Sequence, residues 1–146
     1  MKQIIQYILV FFAFVPLMAQ ENGKLDITTL NWEELKIDSV LPVYTEVVPL
    51  QTDYSLYEYS VGIEYPEYAP LTAKETEVVL KYDSLIHESI DVESYVGISR
   101  GEGLLDIAFV PIIRRGNTYL KLISAQIAIT STPKRQIRRA PAKNER

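Results

Sequence analysis

The sequence predicts a mainly β domain, an antiparallel β-sandwich with one short helix. Three observations carry that expectation. Tyr57, Tyr59, Val61, Ile63 and Tyr65 alternate with Glu58, Ser60, Gly62 and Glu64, a period of two that fits a half-buried strand and that a helix cannot segregate. Glycine-bearing turns at Gly101-Glu102-Gly103 and Arg114-Arg115-Gly116-Asn117 separate three apolar stretches near the C-terminus. Ten tyrosines, with many Val, Ile and Thr residues, lean the composition toward strands.

Lys2 precedes a run from Ile4 to Leu17 that is apolar except for Gln6, and Leu17-Met18-Ala19 places a small residue before a cut. This is the pattern of a secretory signal peptide over 1–19, cleaved between Ala19 and Gln20. The run is shorter than the ~20 residues a bilayer-spanning helix needs. Export to the periplasm or the outer-membrane surface follows as an expectation. With no cysteine in the chain, disulfides, thiolate metal ligands, a cysteine nucleophile and lipid attachment at the cut are all excluded.

Residues 20–40 form an N-terminal extension with weak patterning, in which Leu30, Trp32 and Leu35 suit one helical turn or an edge segment. The β-sandwich module is expected over 41–131. Val43 to Leu50 is rich in β-branched residues and bracketed by Pro42 and Pro49, which suits an edge strand. After the alternating strand, Pro66 and Pro70 are expected to end it. Thr72-Ala73-Lys74-Glu75 then has the form of a capping box opening a helix over about Ala73 to Asp83. Three strands follow, Val92 to Arg100, Leu104 to Ile113 and Tyr119 to Thr130, read as one antiparallel meander. Leu105, Ile107 and Phe109 share one face of the second, and Ile123, Ala125, Ile127 and Ile129 one face of the third.

Charge divides the chain sharply. Between Gln20 and Ser131 there are eighteen acids and eight bases, whereas 132–146 carries Lys134, Arg135, Arg138, Arg139, Lys143 and Arg146 against Glu145 alone. Pro133 and Pro141 punctuate that basic segment, which reads as an extended linker. Nucleic acid is not an expected partner, because the chain is read as exported and no aromatic residue interleaves the bases after Thr132.

Candidate sites are few. His87, with Asp83, Glu88 and Asp91 nearby, could centre a metal-dependent enzyme, but neighbouring acids in sequence do not establish convergent ligands. A solvated loop is the preferred reading, and no cofactor is expected. Tyr44, Tyr54, Tyr57, Tyr59, Tyr65 and Tyr68 could form a sugar-stacking platform or fill the sandwich core. Three or more rings exposed on one flat face would decide for the platform. Arg114-Arg115 could dock an anion or simply solvate a hairpin tip. Gly101-Glu102-Gly103 lacks the third glycine of a phosphate loop.

Three stretches have a more specific likeness: Leu41-Pro42-Val43-Tyr44 with Val47-Val48-Pro49-Leu50, Val61 to Leu71, and Phe109-Val110-Pro111-Ile112-Ile113-Arg114-Arg115-Gly116-Asn117. In order and spacing they resemble the N-terminal region of the PorU family, the gingipain-like cysteine peptidases that act as sortases of the type IX secretion system in Bacteroidota. The resemblance covers about Leu41 to Arg146. It implies a prodomain-like β-rich region ahead of a caspase-type domain with a Cys-His dyad, in an enzyme that removes the C-terminal signal of exported cargo and joins the cargo to surface lipopolysaccharide. None of those catalytic residues has a counterpart here, so this piece is expected to be non-catalytic, truncated before the catalytic domain. Its implied partners are that domain and other type IX secretion components, at or near the outer membrane. By the same resemblance Arg135, Arg138 or Arg139 would lie along the catalytic domain.

Asp38-Ser39-Val40 and Asp83-Ser84-Leu85 also look like the Asp-Ser/Thr-aliphatic acceptor of O-glycosylation in exported Bacteroidota proteins, with Ser39 and Ser84 as acceptors. Both serines equally suit turn starts. Beside the sortase fragment stands a second class of function, a self-contained exported module that binds glycan or an envelope protein.

Overall fold

A computed structural model describes residues 22–35 and 40–135. They form two antiparallel sheets facing each other, with seven strands and two α-helices among the described residues. The expected signal-peptide cut at Ala19 and Gln20, together with Ser39, Arg138 and Arg139, lies outside the described residues. No helix of the described residues is long and apolar enough to cross a membrane.

The larger sheet is organised by β7 (Thr118–Pro133). On one flank it pairs with β3 (Tyr57–Pro70). On the other it pairs with β6 (Ile112–Arg115) and, further along, with β1 (Asn22–Ile27). The smaller sheet has the order β2 (Tyr44–Pro49), β5 (Glu102–Phe109), β4 (Val92–Ser99). Proline at 42 and 49 does confine β2 to a short edge strand.

The inner faces meet in one core. Leu105, Ile107 and Phe109 of β5 pack with Val48 of β2 against Leu122, Ala125, Ile127 and Ile129 of β7. Ile27 and Leu30 are buried in the same cluster. This corrects the view of 20–40 as an extension ahead of the module. Gly23, Leu25 and Ile27 register against Ile129, Ile127 and Ala125, so β1 presents one side to the core and turns Lys24 and Asp26 outward. Its pattern is too short to stand out before its partner is known.

The meander also needs correction. The stretch expected as one strand from Leu104 to Ile113 is two, because Val110 and Pro111 carry the chain out of the smaller sheet and into the larger. Pro111 is fully buried, and its carbonyl accepts from the Leu122 amide at 2.8 Å. Lacking an N–H, proline loses nothing where the ladder changes hands. Hence β4 and β5 form a hairpin in one sheet, and β6 and β7 a hairpin in the other.

Pro66 does not end β3. Tyr65 and Pro66 bulge opposite Ala125, with Tyr65 at φ 51°; pairing resumes at Glu67 with Ser124, and Ile123 makes a compensating irregularity in β7 before Tyr68 pairs with Leu122. Two consequences follow for the expected faces. Tyr65 swings out to 74% exposure, away from the side it was assigned with Val61 and Ile63. Leu122, rather than Ile123, joins Ala125 and Ile127 in the core.

The helix prediction holds in its start and differs in its end. α2 spans Ala73–Leu80, and the capping box is complete: Thr72 Oγ1 accepts from the Glu75 amide at 3.3 Å, while the Thr72 amide donates to Glu75 Oε2 at 2.8 Å. Val78 and Val79 are buried, and Val79 meets Ile86 and Ile112 in a second, smaller core cluster. A separate 3-10 turn over Asp83–Leu85 takes up the remainder. The short α1 covers Trp32–Leu35.

Gly101 and Gly103 have different reasons to be glycine. Arg100 and Gly101 form the β4–β5 turn with φ of 52° and 83°, the pair of positive values that a two-residue primed hairpin needs. Gly103 is already in β5 and is pressed by an aromatic ring: a Cβ there would come within 2.7 Å of three carbons of Tyr54.

Candidate functional site

An open cleft of about 430 Å³ lies at one side of the sandwich. One wall is the segment from β1 into α1, and the other is the start of β2. Asp26 and Glu34 bring carboxylates to it, Thr28 and Thr29 hydroxyls, and Tyr44 a phenol. The tyrosine is held from two sides. Its ring stacks on Phe109 at a centroid distance of 4.8 Å, and its hydroxyl donates to Glu46 Oε2 at 3.3 Å. Burial, and then the Glu46 charge, push its pKa up to about 12. A phenol so held is a hydrogen-bond donor at ordinary pH and cannot serve as a base. The described residues that line the cleft include two carboxylates and no cation. Sequence reading missed it because Asp26 to Asn31 carries no motif and meets Val43 to Thr45 only through the fold.

Among the predicted sites, the tyrosines separate. Tyr44, Tyr54, Tyr57, Tyr59 and Tyr68 are half-buried, and Tyr59 and Tyr68 pack onto the main core. Of the six, Tyr65 alone is exposed, so they build no flat platform. Burial raises the pKa of both Tyr59 and Tyr68.

His87 is exposed, as are Glu88 and Asp91. Among the described residues no group of three or more His, Asp or Glu side chains could hold a metal ion. Asp83 turns instead to Arg114, whose Nη1 lies 3.2 Å from both carboxylate oxygens, and to the Tyr119 hydroxyl, which donates to Oδ1. The Tyr119 hydrogen bond, then the Arg114 charge, hold the Asp83 carboxyl below its ordinary value in spite of some desolvation. This clasp ties the 3-10 turn after α2 to the β6–β7 hairpin. Arg114 is therefore not at the hairpin tip, and Arg115 sets its guanidinium 5.8 Å from the centre of the Tyr68 ring.

A second clasp lies nearby. Lys121 Nζ is 3.0 Å from Glu75 Oε1 and 5.3 Å from the Trp32 ring centre, joining α1, α2 and β7. Glu75 is pushed up by its burial, yet the Thr72 amide and Lys121 hold its pKa below the ordinary value. Ser84 is exposed in its turn, flanked by exposed Leu85 and by the engaged Asp83.

No protein family, curated protein or solved structure matches the chain. The basic segment begins slightly later than expected, since β7 runs through Pro133. Lys134 is then fastened to the turn over Tyr54–Leu56: its amide donates to the Leu56 carbonyl at 2.8 Å and its Nζ to the Ser55 carbonyl at 3.0 Å. Arg135 follows, exposed.

Proposed function

We propose that this chain is the non-catalytic, prodomain-like scaffold of a PorU-type sortase of the type IX secretion system. In that role it is exported and supports or masks a cysteine peptidase domain that trims the C-terminal signal of cargo and attaches the cargo to lipopolysaccharide. The basic segment beyond Lys134 leads toward that domain.

What supports this proposal is where the stretches that carry the resemblance fall. Pro42 and Pro111 are both fully buried, Tyr44 stacks on Phe109, and Leu41, Leu71 and Val110 pack around Val79, Ile86 and Ile112. Residues from all three stretches therefore meet inside the domain. A shared order and spacing of interior residues is what two versions of one scaffold would keep, whereas a shared surface chemistry would point to a common ligand.

The test is functional. Purified protein added to the peptidase domain encoded with it should change the rate at which that domain cleaves a C-terminal signal peptide. An unchanged rate at saturating protein, or DNA beyond the Arg146 codon that holds no peptidase frame, would remove the proposal.

A further inference from the structure

The outer faces of the two sheets carry charge differently. On the larger one acids meet donors in place: Lys24 pairs with Glu64 at 2.9 Å, and Ser124 donates to Glu67 at 2.8 Å. The strands of the smaller sheet carry Glu46, Glu93, Glu102 and Asp106 and not one lysine or arginine.

Alternation decides what this smaller sheet shows to solvent. Because Leu105, Ile107 and Phe109 of β5 turn to the core, Leu104 and Asp106 turn outward. Their register partners turn outward with them, Pro49 and Val47 on β2, Gly97 and Tyr95 on β4. Tyr95 is 66% exposed and Val47 50%, so nothing described covers this surface. One acid therefore sits in a mainly apolar row, between a valine and a tyrosine.

At Gly97 the row has a notch. The point a Cβ would occupy there lies 3.4 Å from Asp106 Oδ2 and 3.9 Å from Tyr95 Cε2. A carboxylate and an aromatic ring thus border the same gap. An ammonium would satisfy only the carboxylate, as a point charge. A guanidinium is planar, and it can lie on the ring while donating two parallel N–H bonds to the carboxylate. A second copy of this face brings no such group, since its strands hold no base, and a two-fold contact through it would set acid against acid.

We propose that the outer face of the smaller sheet docks an arginine-bearing polypeptide, its guanidinium seated over Gly97 between the Tyr95 ring and the Asp106 carboxylate. Val47, Pro49 and Leu104 receive aliphatic neighbours of that arginine. A buried aromatic and a charge pair ringed by apolar contacts is the composition of an interface hot spot. The docking goes beyond the sortase proposal and does not rest on it.

The test is an NMR titration of the purified protein with a capped valine-arginine-valine peptide, beside the same peptide carrying lysine or citrulline in place of arginine. Amide shifts at Tyr95 to Gly97 and at Leu104 to Asp106 are expected with arginine, weaker ones with lysine and none with citrulline. Gly97→Ala fills the notch at ordinary contact distances, so it should keep the urea midpoint, and both it and Asp106→Asn should weaken binding about tenfold or more. No shift at about 10 mM arginine peptide overturns the proposal. So do equal responses to arginine and lysine, shifts centred on Asp26 and Glu34 of the cleft, or affinity indifferent to both variants. The same amides responding to cellobiose instead would make the face a glycan site and overturn it too.

Discussion

The ring of Tyr54 fills the space that a side chain at residue 103 would need. The turn before β3 is thereby pressed onto the backbone of β5, and the Leu50 amide completes the contact by donating to the Gly103 carbonyl at 2.9 Å. Gly103→Ala should cost about 1–3 kcal/mol through overpacking, read from urea unfolding. Tyr54→Ala placed in the same chain should recover part of that loss, a non-additivity that a double-mutant cycle measures. Additive costs would mean that the ring moves aside freely.

Ile27→Ala and Leu30→Ala should each cost about 2–4 kcal/mol, because both side chains sit in the main core. Chemical denaturation checks this directly. Losses under about 0.5 kcal/mol, the size expected for surface positions, would return residues 22–30 to the status of an appendage.

Tyr44 should make the fold sensitive to alkali. Its folded pKa of about 12 stands above an ordinary 10, so its contribution is complete below about pH 10 and is lost as pH rises through 12. The shift sets an upper bound of about 2.7 kcal/mol, which partial solvent access of the residue reduces to about 1 kcal/mol. Tyr44→Phe should flatten the alkaline limb of a stability-pH curve by about that amount. An unchanged limb would show that the phenol ionises without unfolding cost.

The acid limb should report on Asp83. Its folded pKa lies below the ordinary value of 3.8, so the clasp with Tyr119 and Arg114 is fully formed above that pH and is lost as pH falls through the folded value. Asp83→Asn should lower the urea midpoint near neutrality, and the gap from the unaltered protein should close on acidification. A gap that persists after the carboxyl is protonated would place the effect in packing instead.

The proposed export carries a covalent test. Protein recovered from the cell envelope should begin at Gln20, as read by N-terminal sequencing, and intact mass should agree. Recovery with Met1 still attached would make the apolar run an anchor.

Much of this fold was legible because local patterns matched the final environment. Leu105, Ile107 and Phe109 alternate in the sequence and are buried as a row, and Thr72 with Glu75 caps α2 as their spacing implies. Misreadings arose where a distant partner set the outcome. The apolar run through Val110 and Ile112 hides the sheet change, for which Pro111 was the only local sign. The face of Tyr65 depends on a bulge opposite Ala125, and Gly103 looked like a turn residue because its neighbour Tyr54 is far away in the sequence. The cleft was invisible for the same reason, being assembled from β1 and β2, which no sequence pattern links.

The position of β7 also governs when the domain can exist at all. β1, β3 and β6 have β7 as their only described strand partner, and β7 is the last strand described. A chain growing from its N-terminus therefore holds three unpaired strands until residues 118–133 emerge, and only then can the larger sheet close. The larger sheet therefore cannot nucleate from its N-terminal strands alone and waits on its central one.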